Sequence, residues 1–471
     1  MTWTIEQLVD ATGGRLASGD PDTAVSGVAL DSRQLKPQEA FLAIRGARFD
    51  AHRFVPEAVS RGAGCLIVSQ PPATAPSVPT ICVDDTVVAL GQLAAFHRAS
   101  RAIPVVAITG SCGKTTTKEL IAHLLDARYR LVKTAGTQNN QIGLPLTLLK
   151  LAASHEMAIV ELGSNHPGEI AYLASIARPT VAVITNVGPA HLQFFGSIMG
   201  VLREKLSLLE ALGPNGVAVV PGDQLEVVLE AKLRLGPQAR VITFGTSERC
   251  DVQALDIRAS GTGWLMRIRG ELGEFVMRVP GSHNVENALA ALACVKALGL
   301  ELCDFRAALA GFAAVPMRSE VVRCEGLTVM NDCYNANPLS FARALETLRD
   351  LPASRRIVVA GEMLELGDYA VSAHQAIGRL AAQCGADVIL AVGAFADDVA
   401  RGARELRHPD TRTYGSVSHL LDDISGLLRP GDALLVKGSR GMKLEQVVHH
   451  VTERFGAPRN PHVSDELIGS T

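Results

Sequence analysis

The sequence predicts an α/β protein of three domains, built on parallel sheets covered by helices, and three observations carry that prediction. From Ile103 onward, short apolar runs alternate with segments of helical period: IPVVAI, MAIVEL, TVAVIT, LTVMN, RIVVAG, DVILAV and DALLV read as strands. That alternation packs as parallel strands with helices on both faces. A chain of 471 residues exceeds the size at which one hydrophobic core keeps growing, which sets a prior of about three domains. Apolar residues at 47% against 20% charged mark a packed globular chain rather than a disordered one.

Taken in order, the first domain is expected at 1–83, where VSGVALDSR, EAFLAI and GCLIVS read as strands and the Pro-rich stretch 71–79 as a surface connection. A central domain follows at 84–315. Its end is signalled at 310–318, where the helix containing NALAALACVKAL has finished and Pro316 interrupts before a new strand. The third domain spans 316–471, with a loose polar tail from about 456. No internal repeat of fixed period is visible.

Composition excludes several classes of function. The 45 basic and 48 acidic residues leave a net charge of -3 with no Lys/Arg run, so neither nucleic acid nor a membrane surface is an expected partner. The 9 cysteines are odd in number and never form a CxxC pair, which argues for buried free thiols rather than a disulfide framework or a zinc site. The opening MTWTIEQLVD has no basic stretch before an apolar core, and no segment reaches the ~18 apolar residues of a membrane span. A cytoplasmic protein with no membrane insertion is the expectation.

The strongest local signal is PVVAITGSCGKTTTKELIAHLL, a buried-type strand running through Gly110, Ser111, Cys112, Gly113, Lys114, Thr115 and Thr116 into a helix. Backbone N–H groups in such a turn can wrap a phosphate, and the helix dipole favours negative charge. Lys114 can reach the β and γ phosphates, and Thr115 can ligate Mg²⁺. A nucleoside triphosphate is the expected ligand. The common GxxxxGKT pattern would need glycine at Ile108, so this is a compact variant. A glycine turn capping a helix, with Lys114 merely solvated, is the bland alternative; strand and helix on both sides weigh against it. Glu161 ends the strand MAIVEL, where an acid can face a metal, although acids end many strands. Periodicity alone leaves His191 and Lys205 open between structure and function.

These segments resemble those of the Mur ligases, which add amino acids to the peptide of the bacterial cell-wall precursor. TGSCGKTTTKE is similar to the family's ATP loop, NNQIGLP to the segment after it, and VITNVGPAHLQFFGS with Lys205 to its metal and lysine region. GSHNVENALAA resembles the adenine segment; MRSE, NDCYNANP and VKGSRGMKLE resemble the hinge and C-terminal signatures. NDCYNANP and GEMLELGD point to the branch that adds D-alanyl-D-alanine to a UDP-N-acetylmuramoyl-tripeptide. LDSRQLKPQEAFLAIRGARFDAHRF resembles that branch's uridine-nucleotide domain and separates the chain from folylpolyglutamate synthases. The chain departs from the family at Gln193, Leu206 and Ser207, beside the metal and lysine region.

The resemblance implies a small α/β uridine-nucleotide domain, a central P-loop-type parallel-sheet ATPase domain and a C-terminal Rossmann-like domain that receives the dipeptide. It implies ATP and Mg²⁺ as cofactors, an acyl-phosphate intermediate, and a monomer. By the same resemblance Thr115 and Glu161 hold one Mg²⁺ and His191 helps hold a second. Lys205 is either carbamylated, and so an anion suited to Mg²⁺, or an unmodified cation near phosphate. His283, Asn284 and Asn287 start a helix at which Asn can cap the backbone or a side-chain amide can read adenine. Arg318 brings charge from the hinge and Asp332 contacts ribose. Ser32, Arg33, Asp50 and His52 match uridine-nucleotide positions, though each suits a turn as well. Asn139 and Asn140 match the sugar-peptide region, and Asn335, Asn337, Lys437, Ser439 and Arg440 the surroundings of the incoming dipeptide. Two rivals stay open: a sister ligase with another amine, and a nucleotide-dependent switch or binding protein.

Overall fold

The computed structural model describes residues 2–46, 49–71, 77–261 and 263–456. The expected tail from about 456 lies, from 457 on, outside the described residues, as does part of the Pro-rich stretch. Every strand read from the sequence is present within three α/β layers. The first sheet orders Arg15–Ser18, Thr80–Cys82, Cys65–Val68, Ala40–Leu42 and Val28–Ala29, with a small antiparallel pair, Trp3–Thr4 and Ala24–Val25, beside it.

Among the described residues the central sheet has nine strands. At its heart Val105–Thr109 lies parallel between Met157–Glu161 and Val181–Ile184, and every residue of the three is buried. Continuous apolar runs are what helices on both faces require. The sheet continues through Val217–Pro221 and Arg240–Gly245 on one side and Leu131–Lys133 on the other. The third sheet orders Glu320–Cys324, Leu327–Asp332, Asp432–Lys437, Arg355–Ala360, Val388–Val392 and Thr411–Tyr414.

The expectation of parallel sheets needs correction at three edges. Arg15–Ser18 pairs antiparallel with Thr80–Cys82 in the first sheet. Val252–Ser260, Gly263–Ile268 and Phe275–Met277 form an antiparallel meander, and Glu320–Cys324 pairs antiparallel with Leu327–Asp332. The outer half of Val252–Ser260 alternates between half-buried and exposed, the pattern of a strand with one wet face, which antiparallel sheets tolerate and parallel ones do not.

One apolar core runs from Trp3 and Leu8 through Leu90 and Leu93 to Ala182 and Val220, so the first and central sheets share it. The helix Thr86–Ala99 joins them, capped by Asp85, whose carboxylate accepts from the N–H groups of Val87 and Val88. Buried Arg98 in that helix donates to the carbonyls of Ala177 and Ile103, both at 3.1 Å. The third sheet has its own cores on its two faces. Polar pairs are prominent where it meets the central domain: Thr137 with Tyr334, His191 with Glu365, and Arg343 to Glu286 at 2.6 Å.

Candidate active site

The central strand Val105–Thr109 is where the sheet order reverses, the place at which open α/β sheets bind ligands beyond their carboxyl ends. The loop after it is tightly held. Ser111 N–H donates to the Asn186 carbonyl and Cys112 N–H to the Asn186 side chain, both at 3.0 Å, while the Thr185 hydroxyl donates to the Cys112 carbonyl at 2.5 Å. Gly110 (φ 148°) and Gly113 (φ 81°) leave no room for a side chain: a Cβ would stand 2.0 Å from the Thr185 hydroxyl and 2.2 Å from Asn287 Oδ1. Lys114 opens the helix Lys114–Leu125 and folds back to the Gly110 carbonyl at 2.7 Å. Burial pushes its ammonium below the ordinary value, and Glu161 pulls it partly back.

Among the described residues, two buried oxygens beside this loop have no hydrogen-bond partner, the Thr115 hydroxyl and Glu161 Oε2. Oε1 of Glu161 accepts from Asn139 at 2.7 Å, and buried Lys118 stands 4.0 Å from Oε2 while spending its protons on the carbonyls of Thr134 and Gly136. An orphaned hydroxyl and an orphaned carboxylate oxygen together suit a hard divalent cation with oxygen ligands, so these residues fit Mg²⁺.

Lys205 is 1% exposed. Its ammonium donates to the Ser164 hydroxyl at 2.7 Å and lies 5.5 Å from the Phe195 ring centre. Burial, then the nearby charge of Lys114, lowers its pKa from 10.5 to about 7. The neighbouring Glu204 does not reach it as a partner, because its carboxylate caps the helix Glu169–Ala177, accepting from Gly168 N–H at 2.8 Å and Ile170 N–H at 2.9 Å. Of the family departures, Leu206 is fully buried in the shared core and the Ser207 hydroxyl donates to the Glu204 carbonyl. His191 adopts a left-handed backbone, φ 51°, at the head of the short helix Leu192–Phe195, and its Nδ1 faces Glu365 Oε2.

The cleft in front of the loop is lined by Lys114, Thr115, Asn139, Asn140, Glu161, His191, His283, Asn284, Asn287, Arg318, Asp332, Asn335, Asn337 and Lys437, so most of the expected nucleotide and dipeptide positions converge. Details differ from expectation. Asn284 does not cap its helix, which starts at His283: its amide donates to the Pro280 carbonyl at 2.6 Å and its oxygen accepts from Asn287 at 2.9 Å. Asn287 also accepts from the Thr117 hydroxyl at 3.3 Å. Asn287 thereby ties this helix to the helix that follows the phosphate loop. Among the described residues the buried Nδ1 of His283 has no hydrogen-bond partner, and burial lowers its pKa to about 3, so a neutral ring faces the cleft. Arg318 stacks 4.3 Å from the Tyr334 ring centre, between two residues with left-handed backbone, Met317 and Ser319.

The third-domain wall is already bonded to itself. Lys437, also 1% exposed, donates to Asp332 Oδ2 at 2.6 Å and to the Asn335 carbonyl at 2.9 Å. Asp332 Oδ1 accepts from Ser319 N–H at 2.9 Å. Asn337 caps the helix Pro338–Asp350 and touches Cys112 Sγ at 3.4 Å. Ser439 and Arg440 do not line the cleft: the Ser439 hydroxyl accepts from Leu364 N–H, and Arg440 pairs with Glu445 at 3.0 Å.

The first-domain positions stand apart from the cleft. Ser32 donates to Glu57 at 3.0 Å, Arg33 pairs with Asp31 at 2.8 Å, and Asp50 holds His52 at 2.6 Å while His52 Nε2 accepts from Ser69 N–H. Sequence reasoning missed Thr137, Ser164 and Arg343. It also passed over Tyr334 and Glu365, although both sit inside motifs it had singled out, NDCYNANP and GEMLELGD.

Three family models match successive stretches: the Mur ligase family catalytic domain over 24–98, the Mur ligase middle domain over 108–295, and the Mur ligase glutamate ligase domain over 317–440. The chain is 35% identical to a UDP-N-acetylmuramoyl-tripeptide--D-alanyl-D-alanine ligase of Bacillus subtilis, and 35% to that of Escherichia coli. Each match covers 96% of this chain and 98% of the relative. A crystal structure of MurF from Acinetobacter baumannii superimposes with a TM-score of 0.88 at 34% identity, covering 96% of this chain and 99% of that one. MurF of Thermotoga maritima in complex with ADP superimposes with a TM-score of 0.81 at 27% identity, covering 92% and 98%.

Proposed function

The chain belongs to the Mur ligase family of ATP-dependent ligases, and we propose that it joins D-alanyl-D-alanine to UDP-N-acetylmuramoyl-tripeptide in peptidoglycan precursor synthesis. The substrate pair is carried by identity to ligases of that name over 96% of the chain. The reaction class is supported by the orphaned Thr115 and Glu161 oxygens beside a phosphate loop.

A carboxylate at neutral pH has no leaving group. In the proposed reaction it attacks the γ-phosphorus of ATP in line, ADP departs, and an acyl phosphate forms; the neutral amine then attacks the acyl carbon, the nitrogen gives up a proton, and phosphate leaves with the C–O bond electrons. The protein's part is positioning and charge neutralisation. The N–H groups at 113–116 and the Lys114 ammonium hold the β and γ phosphates, while Arg318 faces them from the hinge. Neutral His283 and the Asn284–Asn287 pair border the base, and Asp332 the ribose. Thr115 and Glu161 would hold one Mg²⁺ and His191 would help hold a second, the two neutralising phosphate charge when bound. Ser32, Arg33, Asp50 and His52 serve the uridine nucleotide, Asn139 and Asn140 the sugar-peptide, and Asn335 and Asn337 the dipeptide.

Lys205 is assigned a carbamate. The neutral amine adds to CO₂, forming an N–C bond and releasing a proton, which needs a lysine of low pKa; its burial and the charge of Lys114 favour that. The reading keeps the domain limits at 83 and 315, a monomer, since one chain supplies every named group, and the cytoplasm, where ATP and uridine nucleotides are available. Among the described residues no helix is long and apolar enough to cross a membrane.

The decisive experiment is product mass after incubation with ATP, Mg²⁺, UDP-N-acetylmuramoyl-tripeptide and D-alanyl-D-alanine. A product one dipeptide heavier, less one water, is expected. Preference for another amine would make it a sister ligase, and phosphate release without acceptor and amine would make it a nucleotide-dependent switch.

A further inference from the structure

The segment GEMLELGD, residues 361–368, has no part in the chemistry above, yet it is built with care. Gly361 N–H donates to the Lys437 carbonyl and Ser439 N–H to the Glu362 carbonyl, both at 2.8 Å. Met363 N–H donates to His374 Nε2 and Leu364 N–H to the Ser439 hydroxyl, both at 2.9 Å. Four successive residues are thus bolted to the third domain, and the next residue projects out of it. Glu365 takes a left-handed backbone, φ 61°, a conformation that costs about 1 kcal/mol for a residue with a Cβ and persists where the surroundings over-determine it. Its carboxylate meets His191 Nδ1, and its carbonyl accepts from Gln193 N–H at 3.3 Å. His191 is left-handed too. Two strained residues from separately cored domains therefore meet tip to tip.

We propose that Glu365 is a positioning residue: when the third domain docks, its carboxylate fixes the His191 ring and turns Nε2 toward the cleft. A carboxylate on Nδ1 selects the tautomer with hydrogen there and leaves the Nε2 lone pair for a ligand, the usual way a metal-side histidine is oriented. Coupling follows from topology. The third domain, proposed to bring the dipeptide, completes the histidine's orientation only while docked, so acceptor activation is tied to the presence of the amine-bearing domain. The same contact engages Gln193 through its backbone N–H, a donor that any residue but proline supplies.

The inference rests on the reading of His191 as a metal-side residue, and the test separates the two. Glu365→Ala should raise the Mg²⁺ concentration for half-maximal rate by about tenfold or more. Glu365→Gln, whose amide oxygen still accepts from Nδ1–H, should recover most of that. Without Mg²⁺ or substrates, Glu365→Ala should speed amide hydrogen exchange at Phe195 and Gly196, whose N–H groups bond the carbonyls of His191 and Leu192, with the melting temperature of the whole protein little changed. In a His191→Ala background, Glu365→Ala should add nothing to the Mg²⁺ requirement. A raised midpoint in His191→Ala but not in Glu365→Ala overturns the proposal alone, as do additive effects or unchanged exchange. An unaltered midpoint in His191→Ala removes the reading of His191 and the proposal with it.

Discussion

The two walls of the cleft are built from similar residues to opposite effect. On the central-domain wall, the Thr115 hydroxyl, Glu161 Oε2 and His283 Nδ1 are buried without hydrogen-bond partners among the described residues, and behind Ser164 of that wall Lys205 has one hydroxyl for its ammonium. On the third-domain wall, Lys437 is as buried as Lys205 but saturates itself on Asp332 and Asn335, and the Asn337 side-chain oxygen likewise accepts from Ser340 N–H. A buried polar group left unpaired costs free energy that folding alone does not return. Within this cleft, the unpaired groups mark where a ligand completes the structure, and the saturated ones mark a scaffold that holds a shape. The central wall is prepared for charge, the third for position.

The largest expected effect comes from the wall that awaits a ligand. Lys114→Ala should lower kcat by about 10²–10³-fold, because the loop loses its main cation for the phosphates, while the folded protein survives; turnover within about tenfold of wild type would erase the distinction. Lys205→Ala should be nearly as inactive. If the lysine works as an anion, a small carboxylic acid in excess restores part of the rate and small amines do not; the reverse pattern would make Lys205 a cation.

The comparison sharpens when both buried lysines become methionine and unfolding is measured without ligands in CO₂-free buffer. Lys437→Met strands Asp332 and should lose about 3 kcal/mol. Lys205→Met should be as stable as wild type or more, by about 1–3 kcal/mol at pH 7. The pH dependence has a definite sign. Lys205 titrates near 10.5 unfolded and about 7 folded, so between those values the unfolded chain binds more protons and wild-type stability rises with pH. The methionine variant's advantage should shrink from pH 7 to pH 10. A constant difference would mean that the folded lysine keeps its ordinary pKa. The smallest effect is expected far from both walls: Arg33, 78% exposed and paired with Asp31, should on change to alanine raise the KM for the uridine nucleotide a few-fold with kcat unchanged, a surface ion pair contributing about 1 kcal/mol or less.

Legibility followed the range of each signal. The phosphate loop could be read outright, because strand, glycine turn and helix N-terminus are contiguous in TGSCGKTTTKE, and the local sequence dictates the local backbone. The parallel strands were legible for the same reason. The antiparallel edges at Val252–Met277 and Glu320–Cys324 were not, since a half-exposed strand lacks the continuous apolar run that marked the others. Asn284 was open between cap and base reader and turned out to brace the Pro280 carbonyl, a choice fixed by where a loop folds back.

What the sequence determined by itself was contiguous chemistry: the anion-binding loop, the acid at the strand end, the free thiols and the motifs that place the chain in its family. What only the tertiary structure decided was which polar atoms remain unpaired. Lys205 and Lys437 are each a lysine within or beside an apolar run, and nothing local tells them apart. One meets Ser164, 41 residues away, and the other Asp332, 105 residues away. Saturation is a property of the environment that long-range packing brings to a side chain, so the separation of ligand-awaiting groups from scaffold, and the meeting of Glu365 with His191, exist only once the three domains have closed on one another.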